Sequence, residues 1–153
     1  MATSTLIQYL NTTGADGVDI GLGVSNRRQV ETFISREAIV AGDVVALDAV
    51  TLALTAGQRA TQIRQASTTA TRTAVVGVAL DAAAGAGEPV RVCIRGVCEA
   101  NVLAMGQGDV LTVTATAGSM DTITAATAPQ VAVALEAAAA PGKALVLVNC
   151  AGF

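Results

Sequence analysis

Between Leu111 and Thr116 apolar and polar positions alternate, with Leu111, Val113 and Ala115 on one side and Thr112, Thr114 and Thr116 on the other. Successive side chains of a strand point to opposite faces, so this period of two predicts a half-buried β-strand with its threonines outward. Ala117-Gly118-Ser119-Met120-Asp121 then carries a turn signal, and the chain is expected to return as a hairpin through Thr122, Ile123 and Thr124. Gly108-Asp109 starts the run, glycine supplying an unusual φ and the aspartate a cap for nearby backbone N–H groups. Gly42-Asp43 opens a similar stretch, Val44 to Leu54. The unbroken apolar segments "VGVAL" (76–80) and "VAVAL" (131–135) suit short strands buried on both faces. A further strand is expected where Val90, Val92 and Ile94 alternate with Arg91, Cys93 and Arg95, with Ala144 to Val148 as its counterpart.

These elements repeat. Shifted by 55 positions, Val76–Cys93 lies on Val131–Val148 without a gap, with identity at eight of 18 positions and Asp81 opposite Glu136. Upstream, Gly42-Asp43-Val44-Val45 matches Gly108-Asp109-Val110-Leu111 at an offset of 66. The chain therefore reads as two related halves, about 41–96 and 107–151, that differ by a loop of about 11 residues. Alanine favours helix, but Gly85, Gly87, Pro141 and Gly142 cut short the alanine runs at 82–84 and 137–140, leaving room for a helical turn at most. Valine, isoleucine and threonine account for 45 of the 153 residues and turns are closely spaced, so the expected fold is all-β, a small barrel or sandwich over 36–153. Residues 1–35 lack sustained periodicity and read as an extended N-terminal arm.

Composition narrows the chemistry. Of 153 residues 52% are hydrophobic and 14% charged, yet charges recur too often for a spanning helix; the longest uncharged run, Met1 to Ala15, is half polar. No Lys or Arg precedes Arg27, so no secretory signal is expected, and synthesis in a cytoplasm follows as the expectation. There is no histidine, which removes the commonest general base and a principal zinc ligand. With a net charge of −3 and 2% aromatic residues, neither a phosphate-neutralising surface nor a stacking platform for nucleic acid is expected. Cys93, Cys98 and Cys150 form no disulfide framework; the repeat alignment sets Cys93 against Val148 and Cys150 against Arg95, so they read as small apolar fillers rather than recurring ligands.

Candidate motifs mostly fail. Gly21-Leu22-Gly23, Gly85-Ala86-Gly87 and Gly106-Gln107-Gly108 each lack the third glycine of a dinucleotide fingerprint. Gly142-Lys143 lacks the rest of a phosphate loop, and Ser25 has no histidine to activate it. The pairs Asp43/Asp109 and Asp81/Glu136 suit acid–base or cation chemistry by type, but their places at strand ends fit turn capping better. Asp16 and Asp19 fall short of a calcium ligand set. No catalytic residue, cofactor or metal is expected. Arg27-Arg28, the only adjacent basic pair, reads as solvated, or as a docking contact if the arm attaches the chain to an acidic surface.

The order "AGDVVALD", "VVGVALDAAAGAGEPVRVCIRGV", "GQGDVLTV" and "VAVALEAAAAPGKALVLVN" resembles the small capsid decoration, or cement, proteins of tailed bacteriophages, over about residues 38–150. That resemblance implies a compact β-barrel, no active site, and a structural virion role on the outer capsid surface with the major capsid protein as partner, often as a homotrimer using a terminal arm. Tyr9, Arg27, Arg28 and Phe33, in or beside the arm, are then the expected capsid contacts. An energetic argument points the same way: with so few aromatic side chains to bury, an isolated monomer is marginal and oligomerisation adds apolar burial. The competing reading is a head-fibre base or a host-surface carbohydrate-binding module, which the absence of Trp and the single Tyr disfavour as a sugar-stacking surface.

Overall fold

The structure is a computed structural model that describes residues 28–49, 51, 54–69, 74–124 and 130–150. Among these residues the elements are β1 (Gln29–Ser35), β2 (Val44–Leu47), α1 (Ala56–Thr61), β3 (Gln62–Gln65), β4 (Val75–Ala79), β5 (Pro89–Val102), β6 (Val110–Val113), β7 (Met120–Thr122), β8 (Ala132–Ala134) and β9 (Gly142–Asn149). The all-β expectation holds. β1, β3, β2, β4 and β5 are hydrogen-bonded in that order, and β5 pairs back onto β1, closing a five-strand barrel. The remaining strands follow the same path: β5, β7, β6, β8 and β9, with β9 returning to β5. The 14-residue β5 serves both circuits, its first half paired with β1 and its second half with β9.

The duplication is visible bond by bond. Ile39 and Ala83 exchange backbone N–H···O bonds of 2.9 and 2.8 Å, as Met105 and Ala138 do at 2.8 and 2.9 Å. Gly42 N–H donates to the Ala79 carbonyl at 2.8 Å and Gly108 N–H to that of Ala134 at 2.9 Å. Both glycines sit at positive φ, 100° and 86°, where a side chain is strained. The following aspartates cap these turns as expected: Asp43 Oδ2 accepts from Val40 N–H at 2.8 Å and Asp109 Oδ2 from Gly106 N–H at 2.7 Å.

Three details differ from the sequence reading. First, each unit is longer, beginning with a strand the internal match missed: β1 in the first, the second half of β5 in the second. Residues 29–35, expected in the arm, are therefore barrel wall, and because only Phe33 is a large apolar residue facing inward, the segment carries little periodicity. Second, the backbone of Arg91 donates to Asp81 and that of Leu145 to Glu136, so Arg91 corresponds to Leu145 and Cys93 to Leu147, not Val148. The first turn holds one residue more than the second, which an ungapped alignment cannot accommodate. Third, β2 stops at Leu47. The chain turns at Asp48 and enters α1 through a capping box: Thr55 Oγ1 accepts from Gln58 N–H at 3.4 Å, while Gln58 Oε1 accepts from Thr55 N–H at 2.9 Å.

Two apolar clusters fill the molecule. Phe33, Ile39, Val45, Ile63, Val76, Val90 and Val92 occupy the first barrel. The second joins Leu111, Val113, Met120, Val131, Val146 and Val148 to Val44, Ala46, Ala66, Val78 and Cys93, the outward-facing residues of the first barrel. A five-strand barrel is narrow inside, so Val, Ile and Ala fill the first one around a single ring, Phe33.

Asp48 is buried beside Arg64, whose Nε donates to Oδ2 at 2.9 Å, with Arg36 Nε 3.7 Å away and the Thr51 hydroxyl donating at 2.9 Å. Burial alone pushes its pKa up, but the Thr51 hydrogen bonds and the Arg64 charge outweigh that and hold it below the usual carboxylate value. A carboxyl depressed in the folded state stabilises above its unfolded pKa, ~3.9, and loses that contribution as pH falls through the folded value. Urea midpoints measured across the acid range are expected to fall steeply for the native chain and less steeply for Asp48→Asn; parallel acid limbs contradict this.

Candidate attachment surfaces

The two barrels meet along a polar seam. Gly118, at the tip of the β6–β7 hairpin with φ 75°, accepts from Val44 N–H at 2.8 Å and donates to the Ala66 carbonyl at 3.0 Å, continuing the edge of β2 and β3. Thr68 N–H donates to the Thr114 carbonyl at 2.9 Å and the Ser67 hydroxyl to that of Ala115 at 3.1 Å. Asn101 donates through its backbone to the Gly42 carbonyl at 2.8 Å and through Nδ2 to Asp43 Oδ1 at 2.7 Å. Asp43, which also accepts from Gln65 Nε2 at 2.7 Å, thus joins both units.

Across the first barrel, Val44, Val78, Cys93 and Val30 are successive cross-strand partners. The first three are fully buried because the second barrel covers them. The equivalent row of the second barrel is Val110, Val133, Leu147 and Val97. There Val110 is 37% and Leu147 41% exposed, with Leu145, two positions along β9, at 37%. The duplicated fold therefore presents twice a face that it covers once.

A cavity of about 270 Å³ lies at the seam, lined by Arg28, Gly42, Leu80, Cys98, Glu99 and Lys143 among others. Its polar chemistry is two cations and one carboxylate around a buried thiol. Cys93 and the burial of its own site push the Cys98 thiol far up, and burial raises Cys150 to about 11, so both stay protonated and unreactive near neutrality. The Cys98 hydrogen bond pulls the Cys93 thiol down, so Cys93 is shielded by burial alone; both Cys93 and Cys98 are expected to resist a thiol reagent in the native chain and to react promptly in denaturant, and rapid native labelling of either contradicts this. Among the described residues no group of three or more acidic or sulfur side chains is placed to hold a metal ion, and no helix is long and apolar enough to cross a membrane.

The residues expected as contacts separate. Tyr9 and Arg27 lie outside the described residues. Arg28 is exposed where the chain enters β1 and borders the seam cavity. Phe33 is 8% exposed and packs in the first barrel, so its ring serves the core, not an outer contact. The exposed row was missed by sequence reading. Its signal is the alternation of Leu145 and Leu147 with Ala144, Val146 and Val148, all apolar, so periodicity could not name the inner face.

A duplicated barrel with an apolar outer row and a polar seam belongs to the class of small all-β proteins. The family model for phage cement proteins matches residues 24–150, and the chain belongs to that family. This places it among phage capsid-associated structural proteins. No curated protein matches the chain. Among solved structures it is similar to the N-terminal base of head fibre gp8.5 of bacteriophage phi29, at 14% identity and a TM-score of 0.51, over 81% of this chain and 96% of that one. At that identity the likeness is one of fold.

Proposed function

We propose that this chain binds the outer surface of a phage head and stabilises the mature shell, acting as a homotrimer on the major capsid protein. Membership of the cement family over residues 24–150 carries this reading. The outer apolar row and the basic Arg27-Arg28 pair at the base of the N-terminal segment supply surfaces for assembly, and repeated weak contacts on a lattice add up to stable occupancy. Because β1 begins at Gln29, a deletion that tests the N-terminal segment must stop at residue 27 to leave the barrel whole. Purified expanded heads are expected to co-sediment the full chain, procapsids to leave it in the supernatant, and the deletion to lose binding at least tenfold. Equal occupancy with the deletion removes the segment from the mechanism, and no binding to expanded heads overturns the reading.

The head-fibre base fold of the phi29 neighbour favours one second reading, a platform that carries another virion component or recognises host-surface glycans. Clear hits on a glycan array, without capsid binding, would select it.

A further inference from the structure

We infer that the row Val110–Val133–Leu147 is the docking surface for the first barrel of another copy of this chain, joined head to tail. This deepens the proposed self-association by naming its faces. Inside one chain, the second barrel covers Val44, Val78 and Cys93 of the first by setting its 114–119 turn and Asn101 over β2 and β3. The second barrel repeats the covered row strand for strand, Val110 paired with Val133 and Val133 with Leu147, with a larger apolar side chain, Leu147, where the first has Cys93. Val110 and Leu147 are exposed and Val133 between them is half-buried. The occupant equivalent to the 114–119 turn is helix α1, Ala56–Thr61, between β2 and β3 of the next first barrel, which buries none of its own residues. Repeating the same step from chain to chain uses two different faces, so the contact is heterologous and propagates around a ring if the rotation closes. Arg91, the first-barrel equivalent of Leu145, forms a bidentate pair with Asp81 at 2.7 and 2.8 Å, so the hydrophobic extension of the row by Leu145 is specific to the second barrel.

The test is sedimentation velocity on the full chain. The native chain is expected to sediment as an oligomer at micromolar concentration. Leu147→Arg, with Val110→Lys as an independent variant on another strand, weakens assembly at least tenfold with an unchanged far-ultraviolet circular dichroism spectrum, since both positions are already solvent-facing. Ala60→Arg on α1 weakens it from the other side. A mixture of Leu147→Arg with Ala60→Arg retains one intact pair of faces and gives heterodimers and nothing larger. A native chain that is monomeric throughout overturns self-association and this surface together. An oligomer that both Leu147→Arg and Val110→Lys leave intact overturns the surface alone. A mixture that yields no heterodimer, when each variant alone is monomeric, overturns the head-to-tail arrangement. Binding of each variant to expanded heads, scored separately, keeps these outcomes distinct from failure of the capsid reading.

Discussion

Asp43→Ala is expected to lower the unfolding free energy by about 3–5 kcal/mol, while the equivalent Asp109→Ala costs about 1 kcal/mol. The two aspartates cap the same turn in the two units, so the local chemistry is matched. The difference is what else they hold. Asp43 is 4% exposed and accepts from Val40 N–H, Gln65 Nε2 and Asn101 Nδ2, so its loss leaves three donors to be resatisfied, one of them from the other barrel. The Gly118 backbone also packs directly on its side chain. Asp109 accepts from Gly106 N–H and the Thr122 hydroxyl at a half-buried turn that water can reach. Urea unfolding of both variants beside the native chain measures the contrast. Because the Asp43–Asn101 bond spans the units, Asp43→Ala is also expected to broaden the transition as the barrels begin to melt separately. Equal losses for the two variants would mean that the seam contributes nothing beyond the caps.

Gly77→Ala is expected to be comparably damaging, costing about 3 kcal/mol or more, and Ala132→Gly to be mild at about 1 kcal/mol. These positions correspond, each opposite its β2-type strand: Gly77 pairs with Val45 and Ala132 with Leu111. A Cβ on Gly77 would collide with the Cys93 backbone carbonyl and crowd Val92, and neither is the loose end of a flexible side chain. β4 and β5 would have to separate where both barrels share a wall. The second unit tolerates a methyl group at the same place, so the requirement lies in how closely β4 approaches β5 and not in the strand itself. Thermal unfolding of both variants decides it; a Gly77→Ala chain with a native Tm would show that β5 can shift without loss.

The strands were legible where one face was buried and the other polar. β6, with Leu111 and Val113 inward and Thr112 outward, follows directly from alternation, and so does the turn at Gly118. β4 and β8 were legible as short apolar runs. β1 was not, because its inner face carries a single phenylalanine among polar residues, Glu31, Phe33 and Ser35, while Val30 and Ile34 lie on the outer face. α1 carried a readable signal, Thr55 followed by Gln58, but it follows directly on the run Val44 to Leu54, which suggested a longer β2. The internal match located the repeat and its paired aspartates. It slipped by one residue after Ala83, since an added turn residue changes no pattern on either side.

The sequence by itself determined the composition of the interior, the glycine-aspartate turns and the existence of two related units, because these depend on local backbone preference and on side-chain volume. Tertiary structure decided which of two similar apolar faces is covered. Val44 and Val110 are both valines at the same place in the same motif, and only the docking of the second barrel on the first makes one core and the other surface. Burial is a relation between distant segments, set by how β5 passes from one barrel to the next, and no local pattern encodes it.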